Sequence, residues 1–252
     1  MTTTGPIDAV AARMADLEAG LPPLGAPAGH LRHFVATYRR TTLAVGRAVA
    51  EGRFEDPAWV ERWDVDFAEL YLDALEAFRA DPASAPRPWR LAFGAPGDWP
   101  PVAHVLLGVN AHVNYDLPQS LLRVIPPGDF ADAALLAARG RDHERIDGVL
   151  SARVAAEDGE LAAVSGPRRL LDHVLTPANR WASRRFLREA RAKVWRNTKA
   201  LHRARLAGAD AYARRLGELD VLASARIDDL LRPGPVLLRL ATAGFGVLLP
   251  PE

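Results

Sequence analysis

The stretch Pro100–Leu117, PPVAHVLLGVNAHVNYDL, decides how this chain is read. Two histidines, two asparagines and an aspartate interrupt a run of Val, Leu and Ala, and Pro118 follows directly. Pro100 and Pro101 suit the first turn of a helix, where a missing N–H costs nothing, and Asp98 stands upstream as a cap. Pro118 predicts an end or a kink near Leu117. Within the helix His104, Gly108, His112 and Asp116 fall at successive i+4 steps, each turned by about 40°. His112 and Asp116 are therefore neighbours on one face. His104 precedes His112 by two turns, rotated by roughly 80°. Gly108 between them leaves room for another backbone or a ligand. Asn110 and Asn114 form a second i+4 pair on nearly the opposite face. A helix polar on two sides and apolar between them belongs at the centre of a fold, not at its surface.

Polar groups on such a segment are costly to bury unless each finds a partner or a metal. His-x3-Asp presents an imidazole nitrogen and a carboxylate oxygen to one zinc or similar ion. It serves equally as a histidine oriented by a carboxylate, or as an ordinary i,i+4 pair. All three readings stay open on the residues alone.

Composition narrows the classes. The 252 residues suit one large domain and bury a substantial core. Lys and Arg number 32 against 31 Asp and Glu, for a net charge of +1, and Lys193 and Lys199 are the only lysines. No basic face or tail speaks for nucleic-acid binding. Cysteine is absent, which excludes disulfides, thiolate zinc sites and cysteine nucleophiles. Any metal must be held by His, Asp, Glu or Asn. No apolar run reaches the roughly 20 residues of a membrane span, and MTTTGPIDAVAARM lacks the pattern of a secretory signal, so the expected address is the cytoplasm.

The remaining segments read as helices. Residues 1–6 are expected to fray, and Ile7–Leu17 carries Ile7, Val10, Met14 and Leu17 at helical spacing. After a Pro/Gly loop, His30–Glu51 is a helix with His30 and His33 near its start; that pair is either a weak metal-ligand pair or a helix opening. Asp56-Pro57 opens a helix to Phe78 with a stripe including Val60, Trp63, Phe67 and Leu70. Asp66 and Asp73 border that stripe, as a solvated edge or, for Asp73, a group turned toward the histidine helix. Ala80–Asp98 is a Pro-rich loop whose Trp89, or the following Trp99, is expected to pack over the start of the central helix and limit access to His104. Asp129–Ala138 and Asp142–Ala156 are expected as two helices parted by Gly140, with Asp142 favourable for the second one's dipole. A polar loop at Glu157–Gly166, a helix at Pro167–Leu175 and long helices at Ala178–Leu206 and Asp210–Leu231 follow. The last stretch, within 233–252, is expected as a packed apolar tail. Alternating strands are missing, as are GxGxxG, P-loop, GxSxG and HExxH motifs. The fold class is all-α, one irregular bundle over 1–252 around a central polar helix.

Several stretches together resemble DUF5995, a family of unknown function: FEDPAWVERWDVDFAELYLDAL at Phe54–Leu75, PRPWRLAF at Pro86–Phe93, HVLLGVNAHVNYDL at His104–Leu117, RDHERIDGVL at Arg141–Leu150 and FLREARAKVW at Phe186–Trp195. The resemblance implies a shared fold and a shared site, and brings no established activity. A much weaker likeness, carried by His112 and Asp116 alone, is to the all-α zinc-dependent phospholipase C and single-strand nuclease group.

Two functions are expected from these readings. In the first, the chain is a metal-dependent hydrolase acting on a phosphoester or other small-molecule ester. His104, His112 and Asp116 then hold a divalent metal, zinc favoured, with Asp73 or Asp142 from other helices. His112 and Asp116 do the chemistry, and Asn110 and Asn114 orient substrate. In the second, the chain binds a small molecule or is structural, and the buried His–Asp–Asn network holds no metal. A metal-free variant uses His112, held by Asp116, for acid–base catalysis.

Overall fold

A computed structural model describes residues 5–164, 170–234 and 244–251, with side chains placed outside 151–187. The described residues form helices and connecting turns, with no strand among them. The chain is all-α. Helix α1 (Pro6–Ala19) buries Ile7, Val10, Met14 and Leu17, the set its spacing predicts. A short 3-10 turn at Gly29–Leu31 leads into α2 (Arg32–Ala50). Helix α3 (Pro57–Ala80) starts where Asp56-Pro57 predicts it, because the Asp56 carboxylate accepts the Trp59 N–H at 2.9 Å.

The Pro-rich stretch after α3 is not all loop. It holds α4 (Arg87–Phe93), which buries Trp89 and Phe93. The central segment begins as α5 (Pro101–Ala111), widens into a π-turn at His112–Asp116 and continues as α6 (Leu117–Val124). Of the end or kink expected near Leu117, the end does not occur, and the helix runs on to Val124. Leu117 donates its N–H to the His112 carbonyl, five residues back, and the widened turn absorbs the position at which Pro118 has no N–H to give.

Helix α7 (Ala133–Val164) replaces the two shorter helices and much of the polar loop expected after Asp129. Gly140 lies inside it, with the Trp195 ring against its open side; an added Cβ there would stand 3.4 Å from that ring. Packing thus outweighs glycine's low helix propensity. Helix α8 (Leu170–Ala207) likewise runs through the two helices expected there, and α9 (Ala209–Leu231) closes the set. Residues 1–4, part of the stretch expected to fray, lie outside the described residues, as do 235–243 of the tail. Of the rest of that tail, Phe245, Val247 and Leu249 are buried.

Helix α1 packs on α2 and α3; α5 is flanked by α2, α4 and α9, and α6 by α3 and α8. The α5–α6 segment is the axis of the bundle. Around it Phe34, Tyr38, Tyr71, Trp89 and Phe93 form one aromatic core. Each such side chain, fully buried, contributes about 1.5–3 kcal/mol. On α3 Trp63 is buried as expected, whereas Phe67 and Leu70 are half-buried, the deepest positions being Val60, Tyr71, Leu72 and Leu75. Among the described residues no helix is long and apolar enough to cross a membrane.

Candidate functional site

The π-turn sets the geometry of His112. Its Nδ1 lies 2.9 Å from Asp116 Oδ2, and the same oxygen accepts the Trp89 indole N–H at 2.8 Å. The Phe67 ring stacks on the imidazole at 3.5 Å between centroids, and Tyr38 meets it edge-on at 4.5 Å. Burial lowers the pKa of His112 and raises that of Asp116, while the bond between them works against both shifts. An indole N–H only donates, so it favours the ionised carboxylate. Asp116 then accepts the Nδ1 proton and fixes the tautomer, leaving the Nε2 lone pair exposed to its surroundings. That nitrogen is buried and has no hydrogen-bond partner.

His112 lines a cavity of about 250 Å³ between α2, α3, α5, α7 and α8, walled by Phe34, Tyr38, Trp63, Phe67, Val109 and Ile146 among others. Asp64 also lines it, with Oδ2 buried and unpartnered. Burial alone pushes the Asp64 carboxyl up to about 8, so it is mostly protonated at neutral pH. Arg191 closes the far wall, held 2.5 Å from Asp147 Oδ1 and donating to the His143 carbonyl at 2.9 Å. Thr37 and Val105 line this cavity and also an open surface groove beside Arg40 and Pro101, so the two spaces adjoin between α2 and α5.

The five residues expected to hold a metal do not meet at one point. His112 and Asp116 do. His104 is buried two turns away among His30 and His33, with ring centroids at 4.6 and 5.7 Å, and Phe34 fills the room expected at Gly108. An added Cβ on Gly108 would stand 2.4 Å from the Phe34 ring. Asp73 is exposed on α3 and lies 3.8 Å from Arg13 of α1; the stripe that turns Tyr71 and Leu72 inward turns Asp73 outward. Asp142 is buried but spent: it accepts the backbone N–H groups of Glu55 and Asp56 at 2.8 and 2.9 Å and pairs with Arg145. It lies within α7, not at a helix opening, and anchors the turn between α2 and α3. Among the described residues no group of three or more His, Cys, Asp or Glu side chains is arranged to hold a metal ion.

The asparagines serve the opposite face. Asn114 donates to Asn110 Oδ1 and to the Phe245 carbonyl, both at 3.2 Å, and accepts the Val247 N–H at 3.1 Å. Asn197 of α8 does the same for the Val247 carbonyl and the Leu249 N–H. Two amides thus stand in for a neighbouring strand and seat the C-terminal segment. Of the two indoles expected over the start of the helix, Trp89 is wholly buried beside the π-turn, and Trp99, half-buried, packs against the core just before α5.

Asp64 and Arg191 are the cavity groups that spacing did not single out. A signal for Asp64 was present, since it sits between Trp63 and Phe67 inside the apolar stripe of α3, whereas Asp66 and Asp73 border it.

Fold and site together define an all-helical protein with a carboxylate-oriented histidine opening on an apolar pocket. Residues 7–233 match the family of unknown function DUF5995, and the chain belongs to that family. No curated protein and no solved structure matches it.

Proposed function

We propose that this chain binds a small, largely apolar molecule carrying one polar group, in the cavity beside His112, and needs no metal to do so. One observation carries the reading: four residues that line a single largely apolar cavity each hold a buried side-chain polar atom without a partner, His112 Nε2, Asp64 Oδ2, Tyr38 Oη and Trp63 Nε1. An unsatisfied buried group costs about 1–3 kcal/mol, and a fold that keeps several of them around one pocket gains from a ligand that satisfies one or more. Pockets of this make-up, apolar walls with a few convergent polar groups, are the usual form of small-molecule sites.

The metal-dependent hydrolase draws less support. Asp116 Oδ2 already accepts two N–H groups, His112 Nδ1 is spent on it, and the Arg191 cation closes the same cavity. Of the expected set only His112 lines this cavity, and His104, Asp73 and Asp142 lie elsewhere.

The test uses 1-naphthol, followed by its fluorescence. The expected outcome is one saturable site, unchanged after dialysis against chelator and lost in Val109→Trp, which fills the cavity from α5. Binding that appears only with added zinc would move the weight back to the hydrolase.

A further inference from the structure

We propose that the cavity is an active site for proton transfer at a carbon next to a carbonyl, with His112 as base and Asp64 as acid; this rests on the binding reading above. The ligand class is a small apolar ketone or its conjugated isomer. Tyr38 ties the two groups together in space. Its ring is 4.5 Å from that of His112, and the nearby Asp64 carboxylate is among the charges that push its phenol pKa up, after burial. On α3 Asp64 lies one turn before Phe67, whose ring covers the imidazole.

The two groups hold opposite protonation states. His112 is neutral, with Nε2 free to accept, and Asp64 still carries its proton at neutral pH because its carboxyl is pushed up to about 8. Titratable groups driven apart in this way inside one dry pocket mark an acid and a base. The other charged or titratable groups around them are Tyr38 on α2, Asp116 in the π-turn, Arg191 paired with Asp147 across the cavity, and His143 behind Trp63.

The cavity offers no nucleophile for acyl transfer. Neither Ser, Cys nor Lys lines it among the described residues, the Thr41 hydroxyl donates to the Thr37 carbonyl at 3.0 Å, and the Thr37 hydroxyl accepts from Arg40 at 3.2 Å. What remains is proton transfer. Nε2 takes the α-proton, the C–H electron pair becomes the carbon–carbon double bond, and the carbonyl π pair moves onto oxygen, which takes the Asp64 proton. Asp116 stabilises the imidazolium so formed. Asp64 recovers its proton from the enol as His112, its Nε2 proton having exchanged with solvent, returns one to carbon, at the same or a conjugated position. No oxidant, reductant or co-reactant enters.

The experiment follows exchange of the C2 protons of 1-tetralone in D₂O by proton NMR, with saturation transfer on the same sample reporting binding. The full chain is expected to accelerate exchange by at least about 100-fold over buffer, the lower bound for positioned acid–base groups. The rate should fall as pH rises past about 8, where Asp64 loses its proton. Asp64→Val removes an unpartnered carboxyl and so keeps the fold; it should bind 1-tetralone and lose the acceleration. His112→Gln should do the same where it folds. If 1-tetralone binds to the wild type but exchanges at the buffer rate, or as fast in Asp64→Val, this inference is overturned and the binding reading stands. If 1-tetralone does not bind at all, both fall.

Discussion

His104 and His112 lie two turns apart on one helix, and both are buried, yet the fold treats them in opposite ways. His112 sits in a widened turn, its Nδ1 on a carboxylate that Trp89 also holds, and it lines an apolar cavity. His104 lies among His30 and His33, with the Trp99 backbone and Asp98 near it, and no side chain fixes its tautomer. Residue type and burial therefore do not distinguish a site from a packed ring. What distinguishes them is whether a second group fixes the tautomer and whether space remains beyond the free nitrogen.

The largest expected effect breaks the oriented pair. In His112→Leu, Asp116 keeps its burial and loses its imidazole partner. Removing one member of a buried pair costs about 3–5 kcal/mol. Urea denaturation should show a loss of that order with an unchanged m-value, and a loss well under 1 kcal/mol would mean that Asp116 is not held as a carboxylate. Trp89→Phe comes next. It keeps the ring in the core but takes one N–H from the same oxygen, at a cost of about 1.5–3 kcal/mol, the range for hydrogen bonds to charged groups.

Asp64→Val is expected to act with the opposite sign. The folded carboxyl titrates at about 8 against about 3.9 in the unfolded chain, so the folded state binds the extra proton. The contribution of Asp64 to stability therefore falls as pH rises from about 4 to about 8 and levels off above. The variant should lack that slope, be more stable than wild type at pH 7, and lose the difference near pH 4. Thermal melts across that range check it. A stabilised protein without catalysis is the trade expected where function holds an uncompensated group in the core.

Much of the bundle was legible in the sequence because helices announce themselves locally. Ile7, Val10, Met14 and Leu17, and the Asp56-Pro57 opening, need nothing beyond their own turns. The pair His112–Asp116 was legible for the same reason, being i,i+4. The failures share a cause. Whether Gly140 breaks a helix depends on Trp195, some fifty-five residues on, and whether Pro118 stops one depends on a π-turn. Asp73 and Asp142 are good metal ligands in type, but Arg13 and the backbone of Glu55 and Asp56 decide where they point. Asn110 and Asn114 were seen as a face, and what that face holds is set by Phe245 and Val247 near the other end of the chain.

The smallest expected effect tests the other histidine. Burial, with His30 and His33 adding to it, lowers the His104 pKa to about 4, so its ring stays neutral through most of the acid range. An unfolded histidine titrates near 6.5. The folded state thus binds fewer protons, and stability is lost as pH falls from about 6.5 toward about 4, with no further loss from this group below that. His104→Leu replaces the imidazole with an apolar group of similar bulk, expected to be close to neutral at pH 7. The variant should therefore match wild type in urea at pH 7, denature less readily at pH 4.5, and bind 1-naphthol with the same affinity, because His104 does not line the cavity. A large stability loss at pH 7 together with lost binding would mean that the two histidines belong to one site after all. Equal acid sensitivity in variant and wild type would instead shift the titration onto His33 and His143, whose pKa values burial also lowers.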